Sequence, residues 1–230
     1  MGKLARSCGQ QGTIGTDMTL TRNIPLTPSQ SALLFIDVQN FSAHPQGAEF
    51  KELGADEFQK KYGWFFEQLD DPVIPNMQRL QSSCRDAGVE VMYTTIESLT
   101  RDGRDRSLDY KITGFHVPKG SWDGQVIDQI APQGDEIVIP KSSSSVFIST
   151  NIDYLLRNLG VRQLVISGLI TDQCVESAIR DACDLGYLVT QVTDACLTYD
   201  AERHARSIDS IKGYCRQVTT GQLIDELRNA

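Results

Sequence analysis

The chain has 230 residues, 40% of them hydrophobic, and its 30 acidic against 22 basic side chains give a formal net charge of −8. A phosphate-tracking protein needs a basic face, so this balance excludes a general nucleic-acid binder and favours small molecules or other protein surfaces as partners. The length allows one large domain or two small ones, with enough apolar side chains to fill a core without disulfides or a structural metal.

Residues 1–28 are polar and rich in Gly, Thr and Ser, and read as an N-terminal arm before a single domain over 29–230. The first apolar run, 32–38, is nearly continuous through Ala32-Leu33-Leu34-Phe35-Ile36, as a strand buried on both faces of a parallel sheet requires. An insertion over 43–72 follows, with a charged, aromatic stretch at 57–66. It is longer than a usual βα connection, and a lid, an oligomer contact or a helix packed on the parent domain would each account for it.

Segment 73–87 places Ile74, Met77, Leu80, Cys84 and Ala87 at helical spacing and stops at Gly88, a left-handed cap. A strand is predicted at 89–95, a helix at 124–130 and a strand at 136–140. Next come a helix at 151–159 stopped by Gly160, a strand at 163–168 and a helix at 173–185 stopped by Gly186. The pattern closes with a strand at 188–193, a helix at 202–211, a weaker strand at 216–218 and a helix at 221–228. Repeated alternation of this kind predicts right-handed crossovers and a doubly wound α/β sheet covered on both faces. Its ligand crevice lies outside the carboxyl ends of the strands.

The strand ends carry the chemistry. The first run ends on Asp37, the third on Lys141, and the fourth leads through Gly168-Leu169-Ile170-Thr171-Asp172-Gln173 to Cys174 at the start of a helix. Singly, each has an ordinary explanation: a turn cap, a solvated amine, a small core residue. Together they place an acid, an amine and a thiol at one crevice. A helix start beside a cation predicts a lowered thiol pKa for Cys174. Asp37 is placed to take the thiol proton, return it to a leaving amine, and then activate water against a thioester. The backbone N–H groups of the turn would hold an oxyanion, with Thr171 or Asp172 as its cap.

The other cysteines, Cys8, Cys84, Cys183, Cys196 and Cys215, form no CxxC pair and have no His at zinc-ligand spacing. No apolar stretch reaches the length of a signal-peptide core or a membrane span, so a reducing, cytoplasmic setting away from membranes is expected.

The segment Ser167-Gly168-Leu169-Ile170-Thr171-Asp172-Gln173-Cys174-Val175-Glu176-Ser177, with Lys141 thirty-three positions upstream of Cys174, resembles the isochorismatase-like cysteine hydrolase superfamily. That group includes N-carbamoylsarcosine, ureidoacrylate, biuret and triuret amidohydrolases and nicotinamidases. The resemblance covers nearly all of 31–227. It implies a six-stranded parallel sheet, an Asp37, Lys141, Cys174 triad, a cis peptide between Leu169 and Ile170, and an oxyanion hole from the N–H groups of Ile170 and Cys174.

Nicotinamidases hold a metal through an Asp and two His. Here His44, His116 and His204 form no Asp-x-His step, so no metal or other cofactor is expected. Retention of Cys174 favours C–N hydrolysis over the vinyl-ether chemistry of isochorismatases. The segments Lys119-Gly120-Ser121-Trp122-Asp123 and Ile139-Pro140-Lys141, with Phe147, are most similar to the ureidoacrylate branch; Ser121 is equally a helix cap.

The expected function is therefore a cysteine-dependent amidohydrolase of a small amide or ureido compound. A vinyl-ether hydrolase and a nicotinamidase-like deamidase are the alternatives. Candidate substrate contacts are Phe41, Glu97, Trp122 and Phe147, with the arginines of the 101–106 loop as a further candidate for a substrate carboxylate. The resemblance also implies a homodimer or homotetramer.

Overall fold

Strand β1 (Ser31–Ile36) is buried along its whole length. Leu33 and Phe35 enter one core and Ala32, Leu34 and Ile36 the other, which is why the run is apolar without alternation. The computed structural model describes residues 20–229. After β1 the chain forms α1 (Asn40–Ala43), α2 (Ala55–Gln68), α3 (Ile74–Asp86), β2 (Glu90–Ile96), α4 (Leu108–Ile112) and β3 (Ile137–Lys141). It continues through α5 (Val146–Ser149), α6 (Ile152–Asn158), β4 (Gln163–Leu169), α7 (Glu176–Asp184), β5 (Leu188–Leu197), α8 (Ala201–Ile211), β6 (Arg216–Val218) and α9 (Thr220–Arg228).

The six strands are all parallel, in the order β3-β2-β1-β4-β5-β6. The first three grow outward from β1 in one direction and the last three from β4 in the other, so the order reverses between β1 and β4. This is the switch point at which doubly wound sheets bind ligands. At that seam a Cβ on Gly168 would lie 2.2 Å from the Ile36 carbonyl oxygen, and Gly168 has φ 133, so only glycine lets β4 come this close to β1.

Phe65 of α2, Met77 and Leu80 of α3 and Leu223 of α9 cover one face of the sheet. Leu156 of α6, Ile179 of α7 and Ile211 of α8 cover the other. Gly88, Gly160 and Gly186 follow α3, α6 and α7 with positive φ, as predicted for helix caps.

The insertion at 43–72 carries α2, whose Phe65 and Phe66 are buried in the parent core, while Tyr62 meets Tyr199 edge-on at 5.2 Å. The end of the arm is pinned to the body. Leu26 is buried, its N–H donates to Glu226 Oε1 at 2.8 Å, and the Gln163 side chain bridges Thr27 and Pro25. The rest of the predicted arm, with Cys8, lies outside the described residues.

Two expectations need correction. Segment 124–130 is not an α-helix: it runs from the end of one 3-10 turn, Trp122–Gly124, through an extended stretch at 125–127 into a second, Asp128–Ile130. Its backbone pairs instead with the chain leaving β1: Asn40 N–H donates to Gln125 O, Ile127 N–H donates to Val38 O, and Gln39 and Val126 form an antiparallel bridge. Strand β5 runs on to Leu197, past residue 193, with a register shift opposite β4 at 166–168. Among the described residues no helix is long and apolar enough to cross a membrane.

Candidate active site

Asp37 is the first residue after β1 and has φ 52, in the left-handed region that Asp enters more readily than most side chains. The turn lifts its carboxylate out of the sheet. Its N–H donates to Thr94 O at 3.0 Å, and its Oδ1 accepts from the Thr94 hydroxyl at 2.8 Å.

Lys141 closes β3, two strands away, and its long stem reaches past the end of β2. The amine is fully buried, 2.8 Å from Asp37 Oδ2, donating to Ser143 O at 2.8 Å and standing 3.4 Å from Cys174 Sγ. The Asp37 Oδ2 atom, otherwise without a partner, is thereby compensated by the lysine.

Cys174 sits in a wide π-type turn, Thr171–Val175, closed by the Val175 N–H on Ile170 O. Neither expected cap is used. Thr171 Oγ1 pairs with His204 Nδ1 at 3.0 Å, and Asp172 is bound by Thr198 and Arg203. The turn is thus held by bonds from α8 and the end of β5, which no local reading of the segment reveals. The peptide between Leu169 and Ile170 is cis.

The electrostatics correct one expectation. Burial pushes the Cys174 thiol up to about 11; Lys141 opposes this, and Asp37 works with burial. Burial alone would lower the Lys141 pKa, but Asp37 and Cys174 beside it hold it above its ordinary value. Burial thus outweighs the Asp37–Lys141 ion pair beside the sulfur, so the helix start and the lysine do not by themselves lower the thiol's pKa.

Tyr110 was not anticipated. It belongs to the short α4, whose start is capped by Ser107 Oγ accepting from Tyr110 N–H. The only sequence signal was Ser107-Leu108-Asp109, a capping pattern without a helical period behind it. The Tyr110 hydroxyl lies 3.8 Å from Cys174 Sγ and 3.5 Å from Lys141 Nζ, and burial raises its pKa.

Asp37, Tyr110, Ile170 and Cys174 line a cavity of about 370 Å³ at the carboxyl ends of the central strands. Phe115 forms part of its wall, and Glu49 and Tyr199 line it from the insertion and the end of β5. The Glu49 carboxyl is pushed up to about 7 by burial, against the lowering effect of a hydrogen bond from Tyr199. A larger, more open depression touches Leu188 and Arg216, the first residues of β5 and β6, and so lies away from the carboxyl ends.

None of the four candidate substrate contacts lines this cavity. Phe41 stands one layer behind, edge-on to Phe115 at 5.1 Å. Glu97 accepts the Gly120 N–H at 3.3 Å, Trp122 is 45% exposed and meets His44 edge-on, and Phe147 packs on Tyr187. Ser121 precedes a 3-10 turn, but its hydroxyl caps nothing. Arg101 and Arg104 border a separate surface depression with Lys119, and Arg106 donates to the Gly103 and Phe115 carbonyls. His44, His116 and His204 do not line the cavity, and no cluster of His, Cys, Asp and Glu able to hold a metal occurs among the described residues.

Comparison with known proteins places this geometry. A solved cysteine hydrolase from Pseudomonas syringae pv. phaseolicola superposes with a TM-score of 0.77 at 22% identity, covering 93% of this chain and 99% of that one. An N-carbamoylsarcosine amidase from Thermoplasma acidophilum superposes with a TM-score of 0.63 at 25% identity, covering 83% of this chain and 96% of that one. An isochorismatase-like hydrolase from Alkaliphilus metalliredigens superposes at 0.65 with 22% identity, covering 85% and 98%. The family described as the Isochorismatase domain matches residues 31–222. Because that match runs from β1 into α9 and takes in Asp37, Lys141 and Cys174, the chain belongs to the isochorismatase family of hydrolases.

Proposed function

We propose that the protein hydrolyses a C–N bond of a small amide or ureido compound through a thioester on Cys174. The observation that carries this reading is the buried Lys141 amine, 2.8 Å from Asp37 and 3.4 Å from the Cys174 sulfur, beside a cavity of about 370 Å³. The thiol lies too high in pKa to ionise by itself near neutrality, so its proton passes to Asp37 as sulfur attacks the carbonyl carbon. The N–H groups of Ile170 and Cys174 stabilise the oxyanion. Asp37 then gives the proton to the nitrogen as the C–N bond breaks. In the second half it takes a proton from water, which attacks the thioester and restores the thiol. Lys141 stays protonated throughout and balances the charge on Asp37 and on the transient thiolate.

The likeness to an N-carbamoylsarcosine amidase and the resemblance of the segments 119–123 and 139–141 to the ureidoacrylate branch support a ureido substrate. Cys174→Ala and Cys174→Ser, checked for folding by circular dichroism, are expected to abolish ammonia release from such compounds. Intact-mass spectrometry of the wild type should find an acyl adduct on Cys174. Undiminished turnover in either variant would end this mechanism.

A further inference from the structure

We propose that the cavity selects neutral and cationic amides over anionic ones, with Glu49 as the carboxyl that receives the substrate's N–H groups. The inference takes from the reading above only that the ligand is a small amide or ureido compound.

The charge inventory is one-sided. Asp37, Glu49 and, at the rim, Asp109 line the cavity, and among the described residues no Lys, Arg or His does. Lys141 stands beside it, but its charge is committed to Asp37 at 2.8 Å and its side chain is 0% exposed. Arg203 lies over the Tyr199 ring and is paired with Asp172 at 2.6 Å. The arginines at 101 and 104 border a different depression. A substrate carboxylate would therefore lose its water among carboxylates without a counter-ion, which a partly buried site penalises strongly.

Glu49 supplies the positive side of the selection. Its Oε1 accepts the Tyr199 hydroxyl, while Oε2 is buried without any hydrogen-bond partner. A buried acceptor left unpaired is costly, and an amide, ureido or ammonium N–H completes it. The burial that raises the Glu49 pKa to about 7 belongs to the same picture: the carboxyl is held short of donors.

The test uses three ureido ligands of matched shape at pH 8: 2-aminoethylurea as the cation, 2-ureidoacetamide as the neutral member and 2-ureidoacetate as the anion. Calorimetric titration of the Cys174→Ala protein, which cannot consume them, is expected to show the cation and the neutral ligand binding at least about tenfold tighter than the anion. Glu49→Gln in the same background should narrow the cation-to-anion ratio by about tenfold, with Glu49→Ala as a second variant should the amide prevent folding. Equal or tighter binding of the anion, an unchanged ratio in the Glu49 variants, or no binding of cation and neutral ligand would each overturn the inference. The two readings separate cleanly. Ordered binding without an acyl adduct on wild-type Cys174 removes the hydrolase mechanism and leaves the selection standing. Acylation of Cys174 by the ureido anion, at a rate above that of the others, removes the selection and leaves the mechanism.

Discussion

Lys141 is a cation held out of water between a carboxylate and a thiol, and each of the three depends on the other two. Replacing it by Met leaves the Asp37 carboxylate buried without a counter-charge, so Lys141→Met is expected to lower stability by about 3–5 kcal/mol in urea unfolding, and to remove activity. Asp37→Asn acts on the thiol in the opposite direction to burial. Asp37 raises the Cys174 pKa and Lys141 lowers it, so with Asp37 neutralised only burial opposes the lysine and the value drops from about 11. Below that pH the thiolate fraction falls tenfold per unit, so at pH 8 iodoacetamide should label Cys174 faster in Asp37→Asn than in the wild type. Equal rates, read by peptide mass spectrometry, would show that burial alone sets the value. Neither effect was legible in the sequence, where a helix start and a nearby lysine predicted a lowered pKa. Burial depends on what the rest of the chain stacks over the sulfur.

At the scale of elements, the insertion is the least predictable part of the chain. Its aromatic residues gave no choice between lid, contact surface and packed helix, because each use favours aromatic side chains. In the structure Phe65 and Phe66 are buried, and the segment before α2 sets Glu49 beside Tyr199. A carboxyl that burial holds near 7, against an ordinary 4.5, binds its proton more tightly in the folded state. Its contribution is therefore most favourable below pH 4.5 and is lost progressively as pH rises from there through 7. Glu49→Gln should remove this slope and raise the melting temperature at pH 8 relative to wild type, with little change near pH 4.5. Thermal unfolding across that range checks it. The wide turn at Thr171–Val175 shows the same dependence on distant elements, since His204 and Arg203 of α8 and Thr198 after β5 hold the side chains that were expected to cap it locally.

Over the whole molecule, the cavity exists because the sheet order reverses between β1 and β4, and that seam closes only around Gly168. Gly168→Ala would set a methyl against the Ile36 carbonyl at an unfavourable φ, and a loss of at least ~2 kcal/mol in urea unfolding is expected, with activity falling as β1 and β4 separate. For the assembled state a homodimer or homotetramer is expected, on the family resemblance, and light scattering giving a monomer mass would contradict it. Leu108 and Ile112 on α4, beside the cavity residue Tyr110, are 73% and 74% exposed, and are among the exposed apolar side chains, with Ile148 and Tyr154, that burial in such an assembly would cover.

The sequence by itself determined the parallel α/β architecture, the six strands to within a few residues apart from the longer β5, the glycine caps, and that Asp37, Lys141 and Cys174 come close together at the strand ends. These are local: an uninterrupted apolar run has to be buried on both faces, a positive φ needs glycine, and a reactive residue at a strand end lies on the ligand side of the sheet. Tertiary structure alone decided that segment 124–130 pairs with the chain after β1, that Tyr110 and Glu49 join the cavity while Phe41, Glu97, Trp122 and Phe147 stay out, and that burial raises the thiol's pKa. Those outcomes follow from which side chains, far apart in the chain, exclude water together, and no window of neighbouring residues contains that information.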